Sequence, residues 1–357
     1  MRNNYCIIMA GGIGSRFWPF SRKDYPKQFL DFFGDKRSMI QMTFDRFKNV
    51  IPNENIFIVT NKNYKQLIME QIPDIQEEQI LLEPMRRNTA PCIAYATYKI
   101  KSICSEANIL VVPSDHLILQ SDIYIQTIKE GFDFISKNNC ILTLGITPTR
   151  PEIGYGYIQV NDSNTNPTKV KTFTEKPNYE MAKLFVDSGE FYWNSGMFLF
   201  NSKTIIESIE NYLPEIAVKF NGQENILGTP EEQNFINDIY PTLPNISIDY
   251  GIMEKAQNVY VMIADFGWSD CGTWESLYDF SPKDENGNAA LDCNSQFYDS
   301  KNNIVALNNG KLAVVQGLEN YIIAESNGVL MICKKDNEQK IRQYVNDIDV
   351  RFNGEFN

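Results

Sequence analysis

A single histidine, His116, stands among 357 residues, and the seven cysteines never form a C-x-x-C pair. That scarcity argues against a structural zinc cage. No apolar run reaches the roughly 18 residues that a membrane-spanning helix needs, so no membrane partner is expected. Positive charge is also short: 33 Lys and Arg face 45 Asp and Glu, a net charge of -12. General nucleic-acid binding needs a basic face, which this balance disfavours. Any phosphate site must therefore be a local positive island. The cysteines (Cys6, Cys92, Cys104, Cys140, Cys271, Cys293, Cys333) are scattered and odd in number. They read as reduced thiols of a cytoplasmic protein, most of them small core residues. Met1 to Asn4 lead straight towards an apolar strand, without the segment and cleavage site of a secretory leader.

What the chain does have is concentrated near its start. The apolar run Tyr5 to Met9 reads as a buried strand, and Ala10-Gly11-Gly12-Ile13-Gly14-Ser15-Arg16-Phe17-Trp18-Pro19 follows it. Glycines at this spacing let backbone N–H groups approach an anion with no side chain in the way. Arg16 and Lys27, the latter in Pro26-Lys27-Gln28-Phe29, add full positive charges, and Arg22 lies between them. Together they suggest a site for a nucleoside triphosphate. A P-loop would require Gly-Lys followed by Ser or Thr, which is missing. A dinucleotide fingerprint would need a small residue where Phe17 stands.

Further along, apolar spacing predicts helices over 39–50 (with Ser38 as N-cap), 64–72, 89–105 and 121–137. Strands are predicted over 55–60, 79–82, 108–112 and 140–144, then over 170–173, 197–200 and 259–264, with a helix beginning at Trp274. This alternation predicts an α/β, Rossmann-like, mostly parallel sheet flanked by helices. Ligands then bind beyond the carboxyl ends of strands, where the glycine loop, Glu83 and Asp115 fall. Residues 282–288 read as a charged link. After it come short strands over 303–307, 311–315, 321–324 and 329–333, with turn signals at Asn309-Gly310 and Asn327-Gly328 and a closing helix over 338–345. We expect a domain over 1–282 and a small β-rich domain over 289–357.

Gly11-Gly12-x-Gly14-x-Arg16 followed by Pro26-Lys27-Gln28-Phe29 resembles the signature of the sugar-1-phosphate nucleotidylyltransferases. Phe17-Trp18-Pro19 and Ser21-Arg22 resemble the variant in its mannose-1-phosphate guanylyltransferase branch. The resemblance implies the nucleotide-diphospho-sugar transferase fold and transfer of GMP from GTP to mannose 1-phosphate, giving GDP-mannose and pyrophosphate. A phosphate oxygen is already nucleophilic, so positioning and charge neutralisation carry such a reaction, in keeping with a chain nearly without histidine.

By the same resemblance, Ala10, Gly11, Gly12, Gly14, Ser15 and Arg16 hold the nucleotide with Glu83, Asn88, Thr89 and Ser114. Arg16 and Lys27 act as catalytic cations. Pro113-x-Asp115-His116 and Trp268-Ser269-Asp270-x-Gly272-x-Trp274 look like the family's two metal segments, so Asp115 and Asp270 are the expected Mg²⁺ ligands. Guanine presents N1–H and N2–H₂ side by side, and the carboxylate of Glu83 can accept both. Relatives that use uracil or thymine typically carry glutamine in this region. Gly156, Glu175, Lys176, Asn194 and Asp249 match the sugar-phosphate motifs.

The family's short form commonly dimerises through its C-terminal segment, which implies a homodimer. The chain ends before the cupin-type isomerase domain of longer relatives, so transferase activity alone is expected. Two alternatives stay open: another sugar 1-phosphate, such as a heptose or fucose, or a non-catalytic regulatory member of the fold. A nicotinamide oxidoreductase is disfavoured by Phe17 and by Thr60-Asn61, where a ribose-binding acid would stand.

Overall fold

The apolar runs of the first half become strands of one sheet, separated by helices that cover it. In this computed structural model, which describes residues 3–160, 165–307 and 310–356, the order begins β1 (Asn4–Ala10), α1 (Met39–Phe47), β2 (Ile56–Asn61), α2 (Lys65–Gln71), β3 (Ile80–Glu83). It continues α3 (Thr89–Ile103), β4 (Asn108–Pro113), the two-residue β5 (Leu117–Ile118), α4 (Ser121–Ile135) and β6 (Ile141–Ile146). Then come β7 (Gly156–Val160), β8 (Thr168–Glu175), α5 (Tyr179–Ser188), β9 (Phe191–Asn201), α6 (Ser202–Tyr212), α7 (Pro214–Phe220), α8 (Glu232–Ile239), β10 (Val259–Ile263) and the short β11 (Trp268–Ser269).

Nine strands form one sheet in the order β3-β2-β1-β4-β9-β6-β10-β8-β7. The β3-β2-β1-β4 half is parallel throughout, as is the β6–β10 pair. The other half is mixed: β9 runs antiparallel to β4 and β6, and β8 antiparallel to β10 and β7. Parallel register aligns Ala10 with Thr60 and Asn61 with Glu83, so the ends of β1 and β3 emerge at the same edge. Helix α3 is buried along nearly its whole length because α6 and α7 cover the side turned away from the sheet. Tyr98 stacks on Phe220 there, with ring centroids 5.1 Å apart. The stretch from α6 to α8 carried no helix expectation.

The chain packs as two compact units: Met1–Gly11, Phe44–Ser114 and Ile118–Trp268 in one, Gly12–Thr43, Asp115–Leu117 and Ser269–Asn357 in the other. This division does not follow the linear one at 282–289, because Gly12–Thr43 groups with the C-terminal segment. The reason is apolar. Phe17, Trp18 and Phe32 share a core with Trp274, Leu277, Ile304, Ile322, Ile341 and Val345. The Phe17 and Trp274 rings lie 5.5 Å apart.

In the second unit α9 (Trp274–Phe280) precedes β12 (Ala289–Leu291), β13 (Asn294–Tyr298), β14 (Ile304–Leu307), β15 (Leu312–Gln316), β16 (Tyr321–Ser326), β17 (Val329–Lys334) and α10 (Ile341–Arg351). β12, β14 and β16 stack in parallel, and so do β13 and β15. Successive turns of chain therefore pile up as a coil. Buried asparagines pin the corners: Asn303 donates to Asn288 Oδ1 at 2.9 Å, while Tyr321 N donates to Asn303 Oδ1 at 2.9 Å. The Asn327-Gly328 signal forms its hairpin, pairing Ser326 with Val329. The Asn309-Gly310 signal does not join neighbours, since β14 and β15 belong to different ladders; Asn309 itself lies outside the described residues. The closing helix starts at Ile341, after a 3₁₀ segment over Lys335–Lys340. Among the described residues no helix is long and apolar enough to cross a membrane, and all seven cysteines are free thiols.

Candidate active site

The glycine loop of the second unit is built so that its carbonyls are consumed and its amides are not. Gln28 Nε2 donates to Gly12 O at 3.1 Å, and Ile13 O accepts from Ser21 Oγ and from Lys27 N. Among the described residues no protein acceptor takes the N–H groups of Gly12, Ile13, Gly14 or Ser15. Gly14 is left-handed at φ 69°, and a Cβ there would lie 2.4 Å from Lys27 Cβ. Glycine is thus required twice over, by backbone and by space. Unpaired amides in succession form a nest for an anion.

Lys27 is 2% exposed. Its ammonium donates to Asp115 Oδ2 at 3.0 Å, Asp115 O at 3.0 Å and Asp270 O at 2.7 Å, which accounts for all three of its hydrogens. Burial opposes ionisation of Asp115, but Lys27 and His116 outweigh it and hold the carboxyl below its usual range. Burial likewise lowers His116, against the pull of Asp115 and Asp270. Asp270 accepts from Gly272 N at 2.8 Å, and a Cβ on Gly272 would lie 2.4 Å from Asp270 Oδ2.

The expected metal pair thus shares one neighbourhood, bridged by Lys27. No group of three His, Cys, Asp or Glu stands ready as a cage among the described residues. Two carboxylates without a third protein ligand fit a hard cation that completes its shell with phosphate oxygens and water. Arg16 Nη1 reaches Gly272 O only at 3.5 Å, and its Nε is buried without an acceptor among the described residues.

In the first unit Glu83 closes β3 and is 4% exposed. Tyr240 OH donates to its Oε1, and a Cβ on Gly11 would meet its Oε2 at 3.3 Å. Burial raises the Glu83 carboxyl to about 7, although Tyr240 and Arg86 pull the other way. Ala10 O accepts from Thr60 Oγ1 at 2.9 Å, and Ser114 N donates to Met9 O at 3.0 Å. Asn88 caps α3, accepting from Thr89 N at 2.9 Å, while Thr89 Oγ1 accepts from Ile248 N at 2.9 Å.

The five expected sugar-side residues form a second cluster in this unit. Register pairs Gly156 with Glu175, and a Cβ on Gly156 would lie 2.5 Å from Glu175 Oε2 and 3.3 Å from Asn194 Cβ. Asn194 Nδ2 donates to Asp249 Oδ1 at 3.0 Å, and its Oδ1 accepts from Thr143 Oγ1 at 3.1 Å. Lys176 pairs with Glu175 and stays largely exposed. Burial and the Glu175 charge raise the Asp249 carboxyl, against Lys176 and Asn194. Sequence reasoning passed over Tyr240, since a tyrosine before a proline carries no local signal of a partner 157 positions away.

The nucleotidyl transferase family matches residues 5–287, and a mannose-phosphate isomerase/GMP-like β-helix domain matches residues 297–348. The chain belongs to the nucleotidyl transferase family. It is 35% identical over 348 residues to a Klebsiella pneumoniae mannose-1-phosphate guanylyltransferase, covering 95% of this chain and 72% of that protein. Its identity to the Xanthomonas campestris xanthan biosynthesis protein XanB is 36% over 354 residues, covering 96% and 72%. A crystal structure from Thermus thermophilus, described as a mannose-1-phosphate geranyltransferase, superposes with a TM-score of 0.88 at 28% identity over 97% of this chain and 99% of that one. Membership implies a nucleotide and a sugar phosphate as substrates and a divalent metal.

Proposed function

We propose that this protein transfers GMP from GTP to mannose 1-phosphate, releasing pyrophosphate and forming GDP-mannose. A phosphate oxygen of the sugar phosphate attacks the α-phosphorus. The bond to the bridging oxygen breaks, and its electron pair leaves with pyrophosphate. The observation that carries this reading is the run of four unclaimed amides at Gly12 to Ser15, beside a lysine tied to both candidate metal-binding aspartates. Such donors are strongest where charge develops and water is scarce.

In this reading Ala10, Gly11, Gly12, Gly14, Ser15 and Arg16 hold the triphosphate with Ser114. Glu83 reads guanine, and Asn88 and Thr89 shape the nucleotide pocket. Gly156, Glu175, Lys176, Asn194 and Asp249 take the sugar phosphate. Asp115 and Asp270 hold Mg²⁺, which when bound offsets phosphate charge. Lys27 keeps the two aspartate segments together, and its own charge adds to that field. The conjunction of Arg16, Lys27, Asp115 and Asp270 speaks against a non-catalytic regulatory role.

A homodimer is the proposed assembly. Leu312 and Val314 on β15, and Leu330 and Ile332 on β17 of a separate ladder, are 53–65% exposed, apolar side chains that a second copy would cover. Seven unpaired thiols support a reducing, cytoplasmic setting. The decisive experiment is pyrophosphate release with GTP and Mg²⁺ against a panel of sugar 1-phosphates. Mannose 1-phosphate should be the best substrate; preference for a heptose or fucose phosphate would move the acceptor, and no turnover with any would remove the enzyme reading.

A further inference from the structure

We propose that Arg342, on the first turn of α10, is a second arginine of the phosphate subsite and grips the pyrophosphate end of the nucleoside triphosphate together with Arg16. The proposal rests on the reading of Arg16 as a phosphate-binding residue.

Helix α10 is fastened to the turn that carries Arg16. Ile341 and Val345 are buried in the same core as Phe17 and Trp18. Lys23 Nζ meets Asp349 at 2.8 Å, and Trp18 Nε1 donates to Phe356 O at 2.9 Å. With Ile341 anchored, the next residue falls about 100° further round the helix. Arg342 is exposed, and among the described residues it has neither an ion pair nor a hydrogen bond.

Arg342 and Arg16 stand on elements that share one core, each with little to hold its guanidinium. Partial desolvation, then the charge of Arg16, depresses the Arg342 guanidinium, and no carboxylate among the described residues offsets this. Arg16 has its own deficit, with Nε buried and unaccepted and one long bond to Gly272 O. Like charges left adjacent are unfavourable unless an anion joins them. Each arginine offers a planar fork suited to two phosphate oxygens. The group of the reaction that matches two forks is the pyrophosphate, which gains negative charge as the bridging bond breaks.

The test compares wild type with Arg342→Ala, Arg342→Gln and Arg342→Lys. Affinity for Mg-pyrophosphate is read by calorimetry, and KM values in the reverse direction, from GDP-mannose and pyrophosphate. Loss of one charge-assisted contact should weaken pyrophosphate about tenfold, shift the GDP-mannose KM less than about twofold, and leave the melting temperature equal or higher as like-charge repulsion is relieved. Lysine should restore part of the loss. Unchanged pyrophosphate affinity and KM in the alanine and glutamine variants would overturn the role of Arg342 while leaving the activity intact. Absence of wild-type turnover with normal, Arg342-dependent pyrophosphate binding would instead sink the functional reading alone.

Discussion

In the proposed reading, Glu83 ties nucleotide specificity to acidity. Its folded pKa, about 7, lies above the ordinary carboxylate value, chiefly through burial. Raised in this way, the neutral form is the one the unliganded fold prefers. Stability from that preference is full below the unfolded pKa and is lost as pH rises through about 7. Guanine needs the ionised form, so GTP affinity should fall as pH drops below neutrality. Glu83→Gln removes both effects. It should raise unliganded stability at pH 8 by at most about 3 kcal/mol, a gain that shrinks towards pH 5, and it should erode discrimination of GTP against UTP or dTTP. Thermal melts across pH and nucleotide competition check this, and unaltered selectivity would displace Glu83 from the base pocket. Glu83 stood out in the sequence as a carboxylate at a strand end that suits guanine's donor pair, and the structure buries it at the end of β3. Tyr240, which donates to it, did not stand out, because its position comes from the packing of a distant helix.

At the level of elements, the glycine loop is where sequence and backbone geometry agree most closely. Gly14→Ala would add a methyl at φ 69° into Lys27 Cβ. The lysine would have to shift, and with it the bonds to Asp115 and Asp270. A displacement near 1 Å at such a site can cost about a hundredfold in rate, so kcat/KM should fall by that order while the fold persists by circular dichroism. Wild-type kinetics would mean that the loop tolerates what its geometry forbids. The strands β1, β2 and β4 were readable as short continuous apolar runs that the sheet buries, and helices α1, α2 and α4 by apolar residues at helical spacing. The coil of β12 to β17 was legible as strands but not as a coil. Its ladders join residues about 15–18 positions apart, and local turn chemistry such as Asn309-Gly310 predicts hairpins instead. Buried Asn288 and Asn303 carried the missing information, since an interior amide needs neighbours on adjacent rungs.

For the molecule as a whole, the C-terminal segment cannot be a detachable appendage. Ile304, Ile322, Ile341 and Val345 share the core that seats Phe17 and Trp18. A protein ending at Pro282 should therefore lose the loop's support along with its C-terminal surface: no turnover, and melting lowered by more than about 10 °C if it folds at all. Normal turnover from the shortened chain would refute this. A gentler change addresses assembly alone. Val314→Glu with Leu330→Glu alters exposed positions and should convert a dimer to a monomer in light scattering, and an unchanged mass would remove that surface as the interface. The parts that sequence reasoning missed are relations between distant segments, such as the packing of Gly12–Thr43 with Ser269–Asn357 in one unit.

Phe17 has a consequence for what this scaffold can become. It occupies the place where a dinucleotide loop wants a small residue, and it is wholly buried against Phe32 and Trp274. Trimming it to glycine to admit a nicotinamide cofactor would hollow out an aromatic cluster, at a cost of roughly 3–5 kcal/mol judged from comparable truncations to alanine. Any lineage moving towards redox chemistry would first have to rebuild its own foundations.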